Sequence, residues 1–577
     1  MREVLLFAFV IGLYFQSNLF GQITVHNNNI DSSLITKKVY LTRHTESLPV
    51  KLDGKIDEAA WDKVEWSGGF IVYQPNEGAQ PSQQTFIKII YDDKYLYFAA
   101  KCMDSAIDSL EKRMSRRDEF PGDWIEINID SYHDLRTAFS FNIAASGVRG
   151  DEFVSNNGGN WDASWNPIYN VATSVDKQAW YAEAKIPFSQ LRFENSQSKI
   201  WGLQVMRRLF RKEEKSTWQY IPQNRGAWVS EFGELHGIQN IKSKRQIEVA
   251  PYMVAKSEHY KAEAGNKFAD GSDQSLALGV DGKIALTSDL ILDYTINPDF
   301  GQVEADPSQV RLDGYQNFFQ ERRPFFIESA NIFNYELTDS EAGGDYDSDI
   351  LFYSRRVGAS PHGFVSLNQN EYASIPSATP ILGALKLSGK TSKGWSIGIL
   401  ESVTKNVFAK IDSVGSIKSQ LIEPLTNFSV LRLQKDFRGG QTVIGLIGTS
   451  VNRKNNLSNL LHDNAFSSGF DLQHFWKERA YYFKVNGVIS HIDGTKEKIL
   501  ATQRSFEHLF QRSNATEVEL NPDRTSLTGT GATFKIGKGG GKSASNGGIL
   551  KFETGLTYRS PELELNDIGF MQAANEI

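Results

Sequence analysis

Between Asp118 and Pro167 the chain gathers residue types that grip polar ligands. The run "DWIEINID" (Asp123 to Asp130) alternates, so Ile125, Ile127 and Ile129 point to one face of a strand while Trp124, Glu126, Asn128 and Asp130 point to the other. "AFSFNI" (Ala138 to Ile143) repeats the apolar half of that pattern. The loop "NNGGNWDASWNP" (Asn156 to Pro167) then offers Trp161 and Trp165 among Asn, Gly, Asp and Ser. An indole lays an apolar face against the C–H side of a pyranose while Asp, Glu, Asn and Arg bond its hydroxyls. Trp161, Trp165, Trp124, Arg117, Asp123 and Glu126 are therefore the candidate ligand-binding set. The competing role for the loop tryptophans is to fold back over the sheet edge. Trp165, just before Pro167 and a strand, suits that role better than Trp161.

The same stretch holds an acidic group, Asp118, Asp123, Glu126 and Asp130, beside Arg116 and Arg117. Hard cations take oxygen ligands, so Asp118, Asp123 and Asp130 are candidate Ca²⁺ ligands, and Ca²⁺ is the one cofactor these residues admit. No D-x-D-x-D-G loop accompanies them, which favours a solvated polar face with internal ion pairs. Paired carboxylates are also what glycoside hydrolysis requires. Glu126 and Glu183, each expected on an outward strand face, are the pair to test. With 69 acidic residues in the chain such a pair arises easily by chance, so binding is preferred to catalysis.

Other chemistries find no support. No G-x-S-x-G, H-E-x-x-H, Walker or dinucleotide fingerprint occurs, and the 10 histidines lack ligand spacing. The single cysteine, Cys102, rules out an internal disulfide and a cysteine-based zinc site. A net charge of -7 gives no basic field for nucleic acid.

The elements that must position these residues follow from pattern. Arg2, the apolar run Leu5 to Phe15 and the small Gly21 read as a signal peptide over 1–21, followed by a flexible leader over 22–45. Within 46–240, "VKLDGKIDEAAWDKVEW" opens a domain with a turn at Asp53-Gly54, a short helical turn capped by Asp57, and Trp61 in the core. Short strands then recur at turn-bounded spacing, which predicts a β-sandwich. From 241 the candidate strands lengthen and alternate apolar with small or polar residues, as in "ILGALKLSGKTSKGWSIGILESVTK" and "TNFSVLRLQKDFRGGQTVIGLIGTSVN". Such hairpins are the signature of an outer-membrane β-barrel, the alternative being a soluble domain with large antiparallel sheets. An insert at 298–349 carries "ERRPFF", read as a lumen plug in which Arg322 and Arg323, beside Glu321, pair barrel carboxylates; a solute-selecting constriction is the other role.

Two sets of strings carry a resemblance. "LDGKIDEAAWDKVEW", "YDDKYLYFAAKCMD", "DWIEINIDSYHDLRTAFSFNIAASGVRGDE" and "WYAEAKIPFSQLRF" followed by "WGLQVMRRL" resemble carbohydrate-binding module family 9. "INPDFGQVEADPSQVRL", "FFQERRPFFIESANIF", "LFYSRRVG" and "ELELNDIGFMQ" are similar to domain-of-unknown-function family 5916. The resemblance implies a sugar-binding sandwich, which in family 9 grips terminal sugars between two aromatic rings, fused to an outer-membrane barrel. Modules of this kind travel with glycoside hydrolases, which implies an association with carbohydrate catabolism. About 12 candidate strands are present, and the chain stops soon after "NDIGFMQ", so the barrel is expected to be small or the chain incomplete.

The expectation is an all-β envelope protein, exported to the outer membrane, whose sandwich binds carbohydrate and whose barrel meets lipid. A membrane-associated hydrolase of O-glycosyl bonds is the second reading. A sandwich that only docks partners for the barrel is the third.

Overall fold

The computed structural model describes residues 37–574, apart from 47, 164, 194–197, 224–226, 242–246, 288, 299–317, 320, 339–348, 392, 414, 439, 455–459, 478, 514–517 and 540–550. The expected signal peptide lies outside the described residues, as does the leader up to 36. Residues 37–45 are not a leader. Val39–Leu41 pairs in parallel with Gly233–Gln239 in one sheet, and Arg43–His44 pairs in parallel with Thr85–Tyr91 in the other, so this segment stitches the two layers together.

Those layers are a nine-stranded sheet and a five-stranded sheet. Trp124–Asp130 lies near the middle of the first, between Ser198–Leu209 and Ala138–Ala144. Tyr95–Met103 is central in the second, flanked by Ala179–Pro187 and Thr85–Tyr91. The period-two pattern fills the space between them: Ile125, Ile127, Ile129, Phe139, Phe141 and Ile143 meet Phe98, Trp180, Ala182, Ala184 and Ile186 in one core. Trp61 is buried as expected, on a 3-10 turn Ala59–Lys63. Asp57 does not cap that turn; Glu58 holds the N-cap position without a side-chain bond.

The C-terminal part is an antiparallel sheet of 11 strands running from Ile247–His259 to Phe552–Arg559. The two end strands do not pair with each other, so among the described residues the sheet is open rather than closed into a barrel. The hairpin around "GKTSKG" forms in register, Ile381–Lys390 against Trp395–Thr404. Ser526–Lys538 is a strand without a strong apolar signal. Its inward Gly529 and Gly531 leave room for the tail, since a Cβ on Gly529 would sit 2.1 Å from the Leu563 nitrogen.

The sheet's two faces differ in kind. One carries Leu278, Leu385, Ile399, Leu431, Leu446, Phe470, Ile489 and Phe534, each between 42% and 61% exposed. The other wraps the insert and the tail. The short helices Pro324–Ile327 and Ala330–Phe333 lie against it, Tyr335 Oη donates to the Gly487 carbonyl at 2.6 Å, and Leu563, Leu565 and Ile568 join the same core. Buried charges on this face are paired: Lys386 with Asp293 at 3.5 Å, Arg432 with Asp471, and Arg559 with Asp349. An ionised group left alone at such depth costs several kcal/mol, roughly, which is why each meets an opposite charge.

Candidate functional site: the junction between sandwich and sheet

The loop after Trp124–Asp130 runs from Ser131 to Thr137 and is tied down by acceptors at its base. Asp130 receives the Asp134 and Leu135 amides at 3.2 and 2.9 Å, and Asp134 receives the Arg136 and Thr137 amides at 2.8 and 2.7 Å. The loop thereby projects Asp134 and Arg136 onto the long sheet. There Lys390 Nζ lies 2.6 Å from Asp134 and 2.5 Å from Asp436, and Arg136 pairs with Asp436. Burial and the Asp134 charge drive the Asp130 carboxyl well up. Asp134 is pushed up by burial as well, yet Lys390 holds it below its usual value.

Beside this four-charge latch lies a cavity of about 130 Å³. The sandwich contributes Phe139, Phe153, Asp162, Trp165, Arg136 and Arg192; the insert contributes Asn331 and Asn334; the sheet contributes Gln434 and Lys390. Trp165 is held by Phe139 and Phe141, with ring centres at 5.0 and 5.3 Å. The cavity thus combines aromatic faces with amide, carboxylate and guanidinium groups, a chemistry suited to a polyhydroxylated ligand.

The other expected site residues fall elsewhere. Trp161 packs on Trp228 at 6.0 Å and donates its Nε1–H to the Gly158 carbonyl at 3.0 Å. Trp124 joins Trp228, Val229, Phe232 and Met206 in the same cluster, which covers the second face of Trp124–Asp130. That face is therefore not solvated, contrary to expectation: Glu126, Asn128 and Asp130 are all buried. Gly158, at φ +95°, makes the cluster fit, because a Cβ there would lie 2.4 Å from the Trp228 Cβ. Gly158→Ala is expected to cost about 1–3 kcal/mol, read as a lowered thermal midpoint.

Arg117 donates to Asp151 through Nε at 3.1 Å and to the Pro167 carbonyl at 2.9 Å. Burial outweighs that guanidinium and pushes the Asp151 carboxyl up to about 7; burial and the neighbouring Glu126 charge do the same to Glu152. Asp118 accepts the Asp151 amide at 3.0 Å, and Asp123 accepts the Glu111 and Phe210 amides at 3.0 and 3.2 Å. The Ca²⁺ expectation is not met by this arrangement. Asp123 and Asp130 stand at opposite ends of a strand, roughly 24 Å apart at about 3.4 Å per residue. Among the described residues no group of His, Cys, Asp and Glu converges on a metal position.

Glu126 and Glu183 cannot act as a pair. Both point away from the core, but from different sheets, so they occupy opposite outer faces of the sandwich. Stacked sheets lie about 10 Å apart before side chains are added, beyond the roughly 5–9.5 Å a glycosidase pair spans. Glu183 instead accepts the Gly54 and Asp53 amides at 2.8 and 3.1 Å, pinning the turn that opens the domain. In the insert, Arg323 pairs with Glu321 of its own segment at 2.7 Å and donates to the Val357 and Ser354 carbonyls at 2.6 Å each. These bonds brace the insert against the 354–357 segment. Glu321 also accepts the Arg322 amide at 2.9 Å.

The latch residues were missed because nothing local marks them; Arg136 and Asp436 meet across 300 positions of sequence.

Comparison with known proteins adds the families. No curated protein matches the chain. A family 9 carbohydrate-binding module from Caldicellulosiruptor kristjanssonii, solved with cellotriose and with glucose, is 19% identical over 35% of this chain; the cellotriose complex is covered to 95%, with a TM-score of 0.26. A loop-deleted form of OmpT, an outer membrane protein of Vibrio cholerae, is 8% identical over 55% of this chain and 93% of its own, with a TM-score of 0.20. Residues 52–231 match the family described as carbohydrate family 9 binding domain-like. The sandwich is of that type. Residues 245–577 match the domain of unknown function DUF5916, and with more than half its length in that match the chain belongs to the DUF5916 family.

Proposed function

We propose that this protein is an outer-membrane carbohydrate-binding protein whose sandwich and sheet share one saccharide site at their junction. The observation that carries the reading is the cavity at the latch, where Trp165 and Phe153 meet Asp162, Arg192 and Asn331 from two parts of the chain. The family 9-like match over 52–231 supports a saccharide as the ligand. Binding rather than hydrolysis is favoured, since the one carboxylate pair marked for catalysis is split across the sandwich.

The membrane part of the reading rests on the long sheet. Its strands, such as Asn464–Trp476 and Tyr481–Asp493, are long enough to cross a tilted bilayer. Their outer face is an apolar band that ends in aromatics and lysines: Trp395, Phe437, Trp476 and Tyr481, with Lys435 at 5.4 Å from the Trp395 ring and Lys538 at 5.7 Å from the Tyr481 ring. Such a belt suits the headgroup boundary. Among the described residues no helix is long and apolar enough to cross a membrane. In hydrocarbon the unpaired edges of Ile247–His259 and Phe552–Arg559 must be covered, because bare backbone groups there cost several kcal/mol each, roughly.

Titration of the detergent-solubilised full chain with cellotriose and a panel of short saccharides tests the site. Trp165→Ala is expected to weaken binding about tenfold, while Trp161→Ala leaves the affinity unchanged. Absence of binding to every saccharide in the panel removes the proposal.

A further inference from the structure

The two ends of the long sheet are unlike. At one end four of the five connections between strands are only four residues long, 286–289, 391–394, 438–441 and 477–480, and the fifth, 539–551, spans 13. At the other end all five connections are of ten residues or more, 260–271, 297–380, 405–425, 454–463 and 494–525; the last holds the helix Lys496–Arg504, and the second and third share a small three-stranded sheet. Outer-membrane barrels place short turns in the periplasm and long loops outside the cell.

The sandwich sits on the short-turn end. Lys390 is the last residue before the 391–394 turn, and Asp436 lies just before 438–441; these are the two sheet residues that hold Asp134 and Arg136. Gly440, inside that second turn, abuts the Arg136 side chain so closely that a Cβ would clash with it. The aromatic and lysine belt of Trp395, Phe437, Trp476 and Tyr481 lines the outer face at the same end, so on the membrane reading the headgroup boundary lies between the apolar band and the sandwich.

We infer that the sandwich stands on the periplasmic side of the outer membrane, so that the junction cavity takes a short soluble saccharide of the periplasm and not a polysaccharide at the cell surface. The inference rests on the membrane reading above. The small size of the cavity, about 130 Å³, agrees with it, since it holds a short segment of sugar and not a long polymer.

Cysteine labelling of the full chain in intact Gram-negative cells tests the side. The native thiol gives no background: Cys102 is fully buried, and burial raises it to about 12. Lys261→Cys places a thiol in the exposed 260–271 loop, and Lys55→Cys places one on the exposed surface of the sandwich. A membrane-impermeant maleimide is expected to label Lys261→Cys in intact cells, and Lys55→Cys at least about tenfold less until the outer membrane is permeabilised. Labelling of Lys55→Cys in intact cells overturns the orientation while leaving the membrane reading in place. Labelling of neither in intact cells, with the chain in the membrane fraction, also overturns it. Labelling of neither, with the chain in the soluble fraction, overturns the membrane reading itself.

Discussion

Lys390→Met is expected to destabilise the junction by about 3–5 kcal/mol, the range for breaking a buried ion pair by removing one partner. Lys390 is the hub of the latch: its side chain is 12% exposed and touches Asp134 and Asp436, which are 15% and 10% exposed. Asp130, fully buried, stands directly behind Asp134. With the ammonium gone, Asp134 and Asp436 lose the cation they share, leaving Arg136 and the nearby Arg479, and the imbalance falls on the contact that joins sandwich to sheet. Met keeps most of the volume, so the loss reports charge rather than packing. A double variant, Lys390→Met with Asp436→Asn, restores charge balance and is expected to recover part of the loss in the same denaturant titration. If the double variant is no more stable than the single one, lost charge balance is not the cause.

Glu183→Gln is expected to flatten the pH dependence of stability between pH 5 and 8. Burial first, then the nearby Glu58 and Asp53 charges, push the Glu183 carboxyl from 4.5 to about 7, although it accepts two backbone amides. A carboxyl raised on folding holds its proton more tightly in the folded state than in the unfolded one. Its contribution to stability is therefore fully present below about pH 4.5 and is lost as pH rises towards 7. The full shift corresponds to about 3 kcal/mol, and solvent reaching the Asp53 turn reduces the expected loss to about 2 kcal/mol. Asp151 and Glu152, also raised to about 7, titrate in both proteins, so the difference between the two stability profiles isolates Glu183. Identical profiles would show that Glu183 is ionised throughout. In the variant the amide oxygen can still accept from Gly54, so the turn itself is retained.

Much of the architecture is legible in the sequence because it rests on local period. Alternation at Ile125, Ile127 and Ile129 is enough to assign a buried sheet face, and small-apolar alternation around "GKTSKG" is enough to assign a long hairpin and its register. Where the local pattern is weak the reading fails. Ser526–Lys538 shows too few apolar residues, because two of its inward positions, Gly529 and Gly531, are glycines that admit the tail and two others are Thr533 and Lys535. The second face of Trp124–Asp130 reads as polar and hence solvated, yet Trp228, Val229 and Phe232, about a hundred positions later, fold over it.

By itself the sequence determined the all-β character, the division into a sandwich and a long-stranded sheet, and the chemical types gathered between Asp118 and Pro167. These follow from side-chain alternation and composition, which need only neighbours a few residues away. Tertiary structure alone decided which of those residues share a site. It divided Glu126 from Glu183 by a hydrophobic core, turned Trp161 into packing for Trp228, and set Trp165 beside a cavity built jointly with the insert and the sheet. It also brought Asp134 and Arg136 to Lys390 and Asp436, contacts between distant segments that no local spacing encodes.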